Sequence, residues 1–206
     1  MKKPFYKNWW FWLIVVVVVI GAVGGSGSND DSPSTNTPAT EASNIVDQPD
    51  TSTVINTPAA DPNLTLSRQN ALESAENYLR FMGFSYNGLV DQLEFEGYSE
   101  SDAMYAASNC GADWNEQALR KAQSYLDTMA FSYSGLIDQL EFEGFTTEEA
   151  TYGVDNCGAD WNEQAALKAQ SYLDTMAFSR DRLIDQLEYE GFTSEQAIYG
   201  VTAVGY

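Results

Sequence analysis

Residues 109–118 read Asn-Cys-Gly-Ala-Asp-Trp-Asn-Glu-Gln-Ala, and the same ten residues return at 156–165. The copies lie 47 residues apart, and that interval organises the whole C-terminal part of the chain. Tyr78, Tyr125 and Tyr172 keep it, as do Phe84, Phe131 and Phe178, and Gly97, Gly144 and Gly191. A fixed internal period of this length is the signature of tandem structural units. Residues 121–132 and 168–179 are identical, which points to a recent duplication of the last two units. The third unit ends Val201-Thr-Ala-Val-Gly-Tyr206 without the ten-residue motif, so the motif belongs to the junction between units.

Within a unit the apolar residues follow a helical period. Ala118, Leu119, Ala122, Tyr125, Leu126 and Met129 share one face and predict an amphipathic helix over about 114–130. Ser132 stands as an N-cap before a second helix carrying Leu136, Ile137 and Leu140, and Gly144 occupies the left-handed position that closes it. Thr146-Thr-Glu-Glu149 has the form of a capping box and opens a short third helix through Ala150, Gly153 and Val154 that ends near Gly158. The fold class expected is all-α: a tandem array of three small three-helix, helix-turn-helix-like repeats at 64–113, 114–160 and 161–206. A unit of this size is close to the lower limit for an independent core, so neighbouring units are expected to share packing.

The junction motif gathers residue types that also serve chemical sites. As a junction, Asp113 and Asp160 cap the next helix, Glu116 and Glu163 complete a reciprocal cap three positions on, and Trp114 and Trp161 pack against the preceding unit. As a calcium loop, Asp155, Asn156, Asp160, Asn162 and Glu163 supply oxygens, but an EF-hand needs ligands at its third and fifth positions, where Cys157 and Ala159 stand. Cys110 and Cys157 occupy equivalent places and Val204 stands there in the third unit, which marks a small core side chain. Stacked equivalents usually lie beyond disulfide reach, so both thiols are expected free.

The paired acids Glu94 with Glu96, Glu141 with Glu143, and Glu188 with Glu190 raise the question of two-carboxylate hydrolysis. Three equal active sites on units too small for a deep cleft argue against it, and no His is present to serve as a base. No catalytic residue, metal, cofactor or small-molecule substrate is expected. Between the acids stand Phe95, Phe142 and Tyr189, two residues off the apolar stripe. They are either exposed aromatics for a partner, flanked by Glu94, Glu141, Glu143 and Glu188, or buried between units, which is the commoner fate of large aromatics.

Charge narrows the partners. The chain carries a net −20, and from Ser67 onward 24 acidic residues face 7 basic ones. Such a surface repels phosphate backbones, and the third helices carry Glu100, Asp102, Glu148, Glu149 and Glu195 with no Arg or Lys, so the helix-turn-helix shape is not a DNA reader.

Ahead of the repeats, Lys2, Lys3 and Lys7 precede the apolar run Trp9–Ile20 and a small-residue tail to Gly25. Residues 1–25 are expected to form a single-pass anchor with a cytoplasmic N-terminus and the repeats outside, with cleavage after Ala22-Val23-Gly24 as the alternative. Residues 26–63, rich in Ser, Thr, Asn, Asp and Pro, read as a disordered linker with a reach on the order of 35 Å.

The units, with Ala-Leu-x-x-Ala-x-x-Tyr-Leu, then Phe-Ser-x-x-Gly-Leu-Ile-x-Gln-Leu-Glu-x-Glu-Gly-Phe, then Glu-Ala-x-Tyr and Asp-Trp-Asn, resemble the repeat of the Ltp family, host cell surface-exposed lipoproteins of Gram-positive bacteria and their phages. The resemblance implies tandem helix-turn-helix modules that do not bind DNA, and a role in superinfection exclusion through contact with a protein outside the membrane, such as a phage's DNA-injection machinery. A housekeeping envelope scaffold and an adhesion protein are the alternatives. The chain departs from the pattern twice: no cysteine stands after the apolar segment to take a lipid, and Arg180-Asp-Arg182 replaces the Tyr86-Asn-Gly88 and Tyr133-Ser-Gly135 of the other units. A shorter likeness, Gly144-Phe-Thr-Thr-Glu-Glu-Ala150 to ubiquitin-associated modules, is accounted for by a helix cap followed by a capping box.

Overall fold

The computed structural model describes residues 65–206. The anchor expected over 1–25 and the linker over 26–63 lie outside them, and no helix among the described residues is long and apolar enough to cross a membrane. The described chain is helical in three groups. The first holds α1 (Leu66–Phe81), α2 (Tyr86–Phe95) and α3 (Glu100–Asn109); the second α4 (Trp114–Leu126), α5 (Tyr133–Phe142) and α6 (Thr147–Asn156); the third α7 (Trp161–Thr175), α8 (Arg180–Tyr189) and α9 (Ser194–Ala203).

Local chemistry sets each boundary. All nine described helices begin on a Ser, Thr or Asp whose side chain accepts a first-turn N–H, from Thr65 through Thr193. Each such cap contributes about 1 kcal/mol. The turn from second to third helix needs a left-handed residue, and Gly97, Gly144 and Gly191 supply it at φ of 96°, 91° and 92°. Past that glycine the next N–H turns back onto the helix: Phe145 donates to the Leu140 carbonyl at 3.2 Å and Phe192 to that of Leu187 at 3.1 Å. This is the Schellman closure, and it sends the third helix back across the first.

Each group closes a core of its own. In the first, Ala71, Ala75, Leu79, Leu89, Leu93, Ala103 and Ala106 are buried together, and in the third Ala165, Ala169, Leu183, Leu187, Phe192, Ala197 and Val201. First and third helices pack on small residues, which lets their backbones approach. A Cβ on Gly153 would lie 2.7 Å from the Ala118 carbonyl carbon, and one on Gly200 2.6 Å from the Ala165 oxygen. Ala106 holds the equivalent place in the first group.

The period overextends one helix. α4 stops at Leu126 rather than near 130, and Met129, expected on the apolar face, is 47% exposed. Yet α7, identical to it from Lys168 onward, runs on to Thr175. The difference lies in the loop after each helix and in the neighbour that loop meets. α1, also long, reaches the next repeat through Gly83, where a Cβ would stand 2.5 Å from the Gln117 carbonyl oxygen. The second repeat has Ala130 there, so its helix opens early to bring the loop against the third repeat, where Lys168 meets the Ala130 carbonyl at 3.4 Å. The Ala177 of the third repeat is exposed and meets no such neighbour among the described residues, and the helix keeps its length.

Candidate functional site

The junction motif forms the seam between repeats. Asp113 Oδ1 accepts the N–H groups of Asn115 at 3.0 Å and Glu116 at 3.3 Å, and Asp160 does the same for Asn162 at 2.9 Å and Glu163 at 3.2 Å. The reciprocal half of the cap is missing: Glu116 and Glu163 do not reach back, whereas Glu149 does reach the Thr146 N–H at 2.8 Å. Backbone torsion accounts for this. Asp113 enters its helix at ψ 108° and Thr146 at ψ 160°, which turns the Asp113 backbone away from the third residue of the helix. Trp114 then stands edge-on to Tyr86 of the preceding repeat, centroids 5.6 Å apart, and Trp161 edge-on to Tyr133 at 5.5 Å. Such a pair contributes roughly 0.5–1.5 kcal/mol beyond its buried area.

The N-cap serines of the second helices complete the seam. Ser85 accepts the Gly88 N–H at 2.9 Å and donates its own hydrogen to the Glu143 carbonyl of the next repeat at 2.6 Å. Ser132 accepts from Gly135 and donates to the Glu190 carbonyl at 2.5 Å. Both are 2% exposed, while Ser179, the third equivalent, is exposed. Asn87 and Ser134 add bonds to the carbonyls of Gly144 at 3.2 Å and Gly191 at 3.3 Å. A recurring Ser followed by Gly three residues on was visible in the sequence; its second bond depends on a carbonyl 58 residues away and was not.

The paired acids divide between inside and outside. Glu143 turns inward: Lys121 Nζ lies 2.8 Å from it, Tyr125 donates its hydroxyl to it, and desolvation pushes its carboxyl above the ordinary glutamate range although Lys121 pulls the other way. Glu190 has the equivalent two partners, Lys168 at 2.8 Å and Tyr172. Glu143 is therefore a structural acid and is withdrawn from the face offered to a partner. Glu94, Glu141 and Glu188 are exposed, and Thr147 donates to Glu141 at 2.6 Å. The aromatics beside them are exposed as well: Phe95 is 50%, Phe142 53% and Tyr189 87% accessible, which overturns burial between units.

Cys110 and Cys157 are free, half-buried thiols whose Sγ donate to the Ala107 and Val154 carbonyls at 3.4 and 3.1 Å. Burial raises the Cys110 thiol above its ordinary pKa, which suppresses the nucleophilic thiolate. Among the described residues no group of three His, Cys, Asp or Glu side chains is placed to hold a metal ion.

The pattern of the family described as host cell surface-exposed lipoprotein, Ltp, matches residues 67–109, 113–157 and 160–204, one match per helical group. None of the curated protein sequences matches the chain. Among solved structures, the chain is similar to Ltp, a superinfection exclusion protein from the Streptococcus thermophilus temperate phage TP-J34, at 39% identity over 45% of this chain and 96% of that one, with a TM-score of 0.43. The three family matches take in well over half of the sequence and fall on the three helical groups in register, and the chain belongs to the Ltp family of host cell surface-exposed lipoproteins.

Proposed function

We propose that the chain acts at the host cell surface, held there through its Lys-flanked N-terminal apolar run, as a binding protein that keeps the DNA of an incoming phage out of the cell. Its related protein from phage TP-J34 is a superinfection exclusion protein. The observation that carries the binding role is the recurrence of one exposed pair in every repeat: Glu94 with Phe95, Glu141 with Phe142, and Glu188 with Tyr189. Large aromatics held half in water beside carboxylates fit an amphipathic basic segment of another protein, here one belonging to the DNA-injection machinery. The aromatics supply anchors and the surrounding net negative charge supplies steering. Three such pairs on one chain multiply a weak contact through effective concentration.

Expression of the chain in a phage-sensitive host tests the reading, with phage DNA entry and plating as readouts. The chain is expected to lower both, and the combined Phe95→Ser, Phe142→Ser and Tyr189→Ser variant to restore them at unchanged helicity. Normal DNA entry across a broad phage panel would overturn the function. Full exclusion by the triple variant would overturn the site.

A further inference from the structure

The outward faces of the first and third repeats are altered versions of the internal seams, and the alterations match each other. On the trailing side of an internal seam stands a glycine: a Cβ on Gly88 would lie 3.4 Å from the Glu143 carbonyl oxygen, and one on Gly135 3.4 Å from that of Glu190. The third repeat has Arg182 there, exposed, with no side-chain hydrogen bond or ion pair among the described residues. On the leading side of an internal seam, Lys121 and Lys168 neutralise Glu143 and Glu190. The first repeat has Ser74 in their place, so Glu96 keeps its tyrosine, Tyr78, but has no cation and is exposed. The trailing end thus gains an unpaired cation at the position where the leading end has an unpaired anion.

A second place of the seam also changes on both faces. The edge-on pairs Tyr86–Trp114 and Tyr133–Trp161 become Arg180 at the trailing end and Ser67 at the leading end. Ser67 donates to Asp102 at 2.7 Å, Asp102 is already paired with Arg68 at 3.1 Å, and Arg180 with Asp181 at 3.5 Å, so this place is polar on both faces and adds no unpaired charge. Between α8 and the loop before it lies an open cleft of 540 Å³ whose lining includes Phe178, Ser179, Arg182, Asp185, Gln186 and Tyr189. Ser179 has a hydroxyl hydrogen to give, and the Glu96 carbonyl accepts no hydrogen bond among the described residues.

We propose that chains associate head to tail, the third repeat of one copy docking on the first repeat of the next in the register of the internal seams, with Arg182 paired to Glu96 across the contact. An interface of this heterologous kind does not close on two copies and extends into a row. Charge complementarity selects the register, because like-charged placements are penalised far more than opposite ones are favoured. The association is weak: Glu73 stands where Arg120 clamps the Leu79 and Arg80 carbonyls, and the copies share one sign of net charge. The proposal is independent of any role against phage.

Disulfide trapping between full-length chains tests it. Asn70→Cys goes into one chain and Ala177→Cys into another, positions equivalent to Gln117 and Gly83, whose backbones nearly touch in the first seam. A mixture of the two is expected to give a crosslinked heterodimer under mild oxidation, and each alone no more than the parent chain with its native thiols. Arg182→Glu in the Ala177→Cys chain is expected to cut the yield about tenfold, and Glu96→Arg in the other chain to restore it. A yield no higher than the parent's, or one indifferent to Arg182→Glu, overturns the proposal; the trans rescue separates lost pairing from a misfolded variant.

Discussion

Three serines at one repeat position allow a seam contact to be weighed against its own control. Ser85, Ser132 and Ser179 each cap a second helix, but only the first two also donate to a carbonyl of the next repeat. Ser179→Ala removes the cap alone and is expected to cost about 1 kcal/mol. Ser132→Ala removes the same cap and leaves the Glu190 carbonyl unpaired at a place where the serine is 2% exposed. An orphaned buried acceptor adds about 1–3 kcal/mol, so Ser132→Ala and Ser85→Ala are each expected to cost about 2–4 kcal/mol in total. The assay is equilibrium urea denaturation of the full chain monitored by far-ultraviolet circular dichroism. With a slope of about 2 kcal/mol per molar urea, the seam serines should lower the midpoint about 0.5–1.5 M further than Ser179 does. Equal midpoints for all three variants would refute the reasoning and reduce the seam bonds to geometry without energy.

Gly153→Ala drives a Cβ to within 2.7–2.9 Å of the Ala118 and Leu119 backbone. Overpacking of about 1–3 kcal/mol exceeds the gain in helix propensity of about 1 kcal/mol, and hydrogen exchange in α4 and α6 should quicken while α1 and α3, which already hold Ala106, stay protected. Gln117 and Gln164 are equivalent and both buried, but Gln164 accepts the Phe131 N–H at 3.4 Å whereas Gln117 Oε1 has no partner. Gln164→Met is therefore expected to lower the thermal midpoint by about 1 kcal/mol equivalent and Gln117→Met to leave it level or raise it. Because burial raises the Glu143 carboxyl in the folded chain, the folded state binds its proton more tightly than the unfolded state. Stability should rise as pH falls from neutrality toward the ordinary 4.5, and Glu143→Gln should flatten that slope in pH-stepped thermal melts.

Most of the helical plan was written in local signals. Ser132, Gly144 and Thr146 start and stop helices through bonds spanning a few residues, so their types alone place three boundaries. What escaped depends on partners far along the chain. The end of α4 is set by Ala130 meeting the third repeat, and no pattern in the last turns could tell it from α7, which is identical over residues 168–179. The missing reciprocal cap at Glu116 turns on one backbone torsion at Asp113, and residue type does not encode a torsion. The exposure of Phe142 was open because burial on average says little about a residue at a helix terminus, where the core has already been covered by Leu136 and Leu140. Lys121 and Lys168 kept the same interval as Glu143 and Glu190, and that co-recurrence was the available sign that the second acid of each pair was already taken.

The division within Glu141-Phe-Glu143 comes from helix geometry and bears on what a partner can touch. Two residues along an α-helix turn the side chain through about 200°, so the two acids must leave the last turn on opposite sides, with the aromatic between them. Once Glu143 is held by Lys121 and Tyr125, Glu141 has to face water, and Phe142 is carried with it to the rim. The seam and the outer face thus meet in one short segment: the Glu143 carbonyl accepts Ser85 across the seam, while its carboxylate, held within its own repeat, sets the outward aim of the neighbouring pair. A partner that bound by competing for the Glu143 carboxylate would have to pull it from Lys121 and Tyr125 of its own repeat, whereas one that takes Glu141 and Phe142 leaves those bonds intact. The first repeat has no lysine at this place, so its Glu96 is not held in the same way. Lys121→Met should therefore loosen α4 from α5 within the second repeat and disturb the presentation of Phe142 together while leaving Phe95 as it is, a coupling that separates this arrangement from three independent surface aromatics.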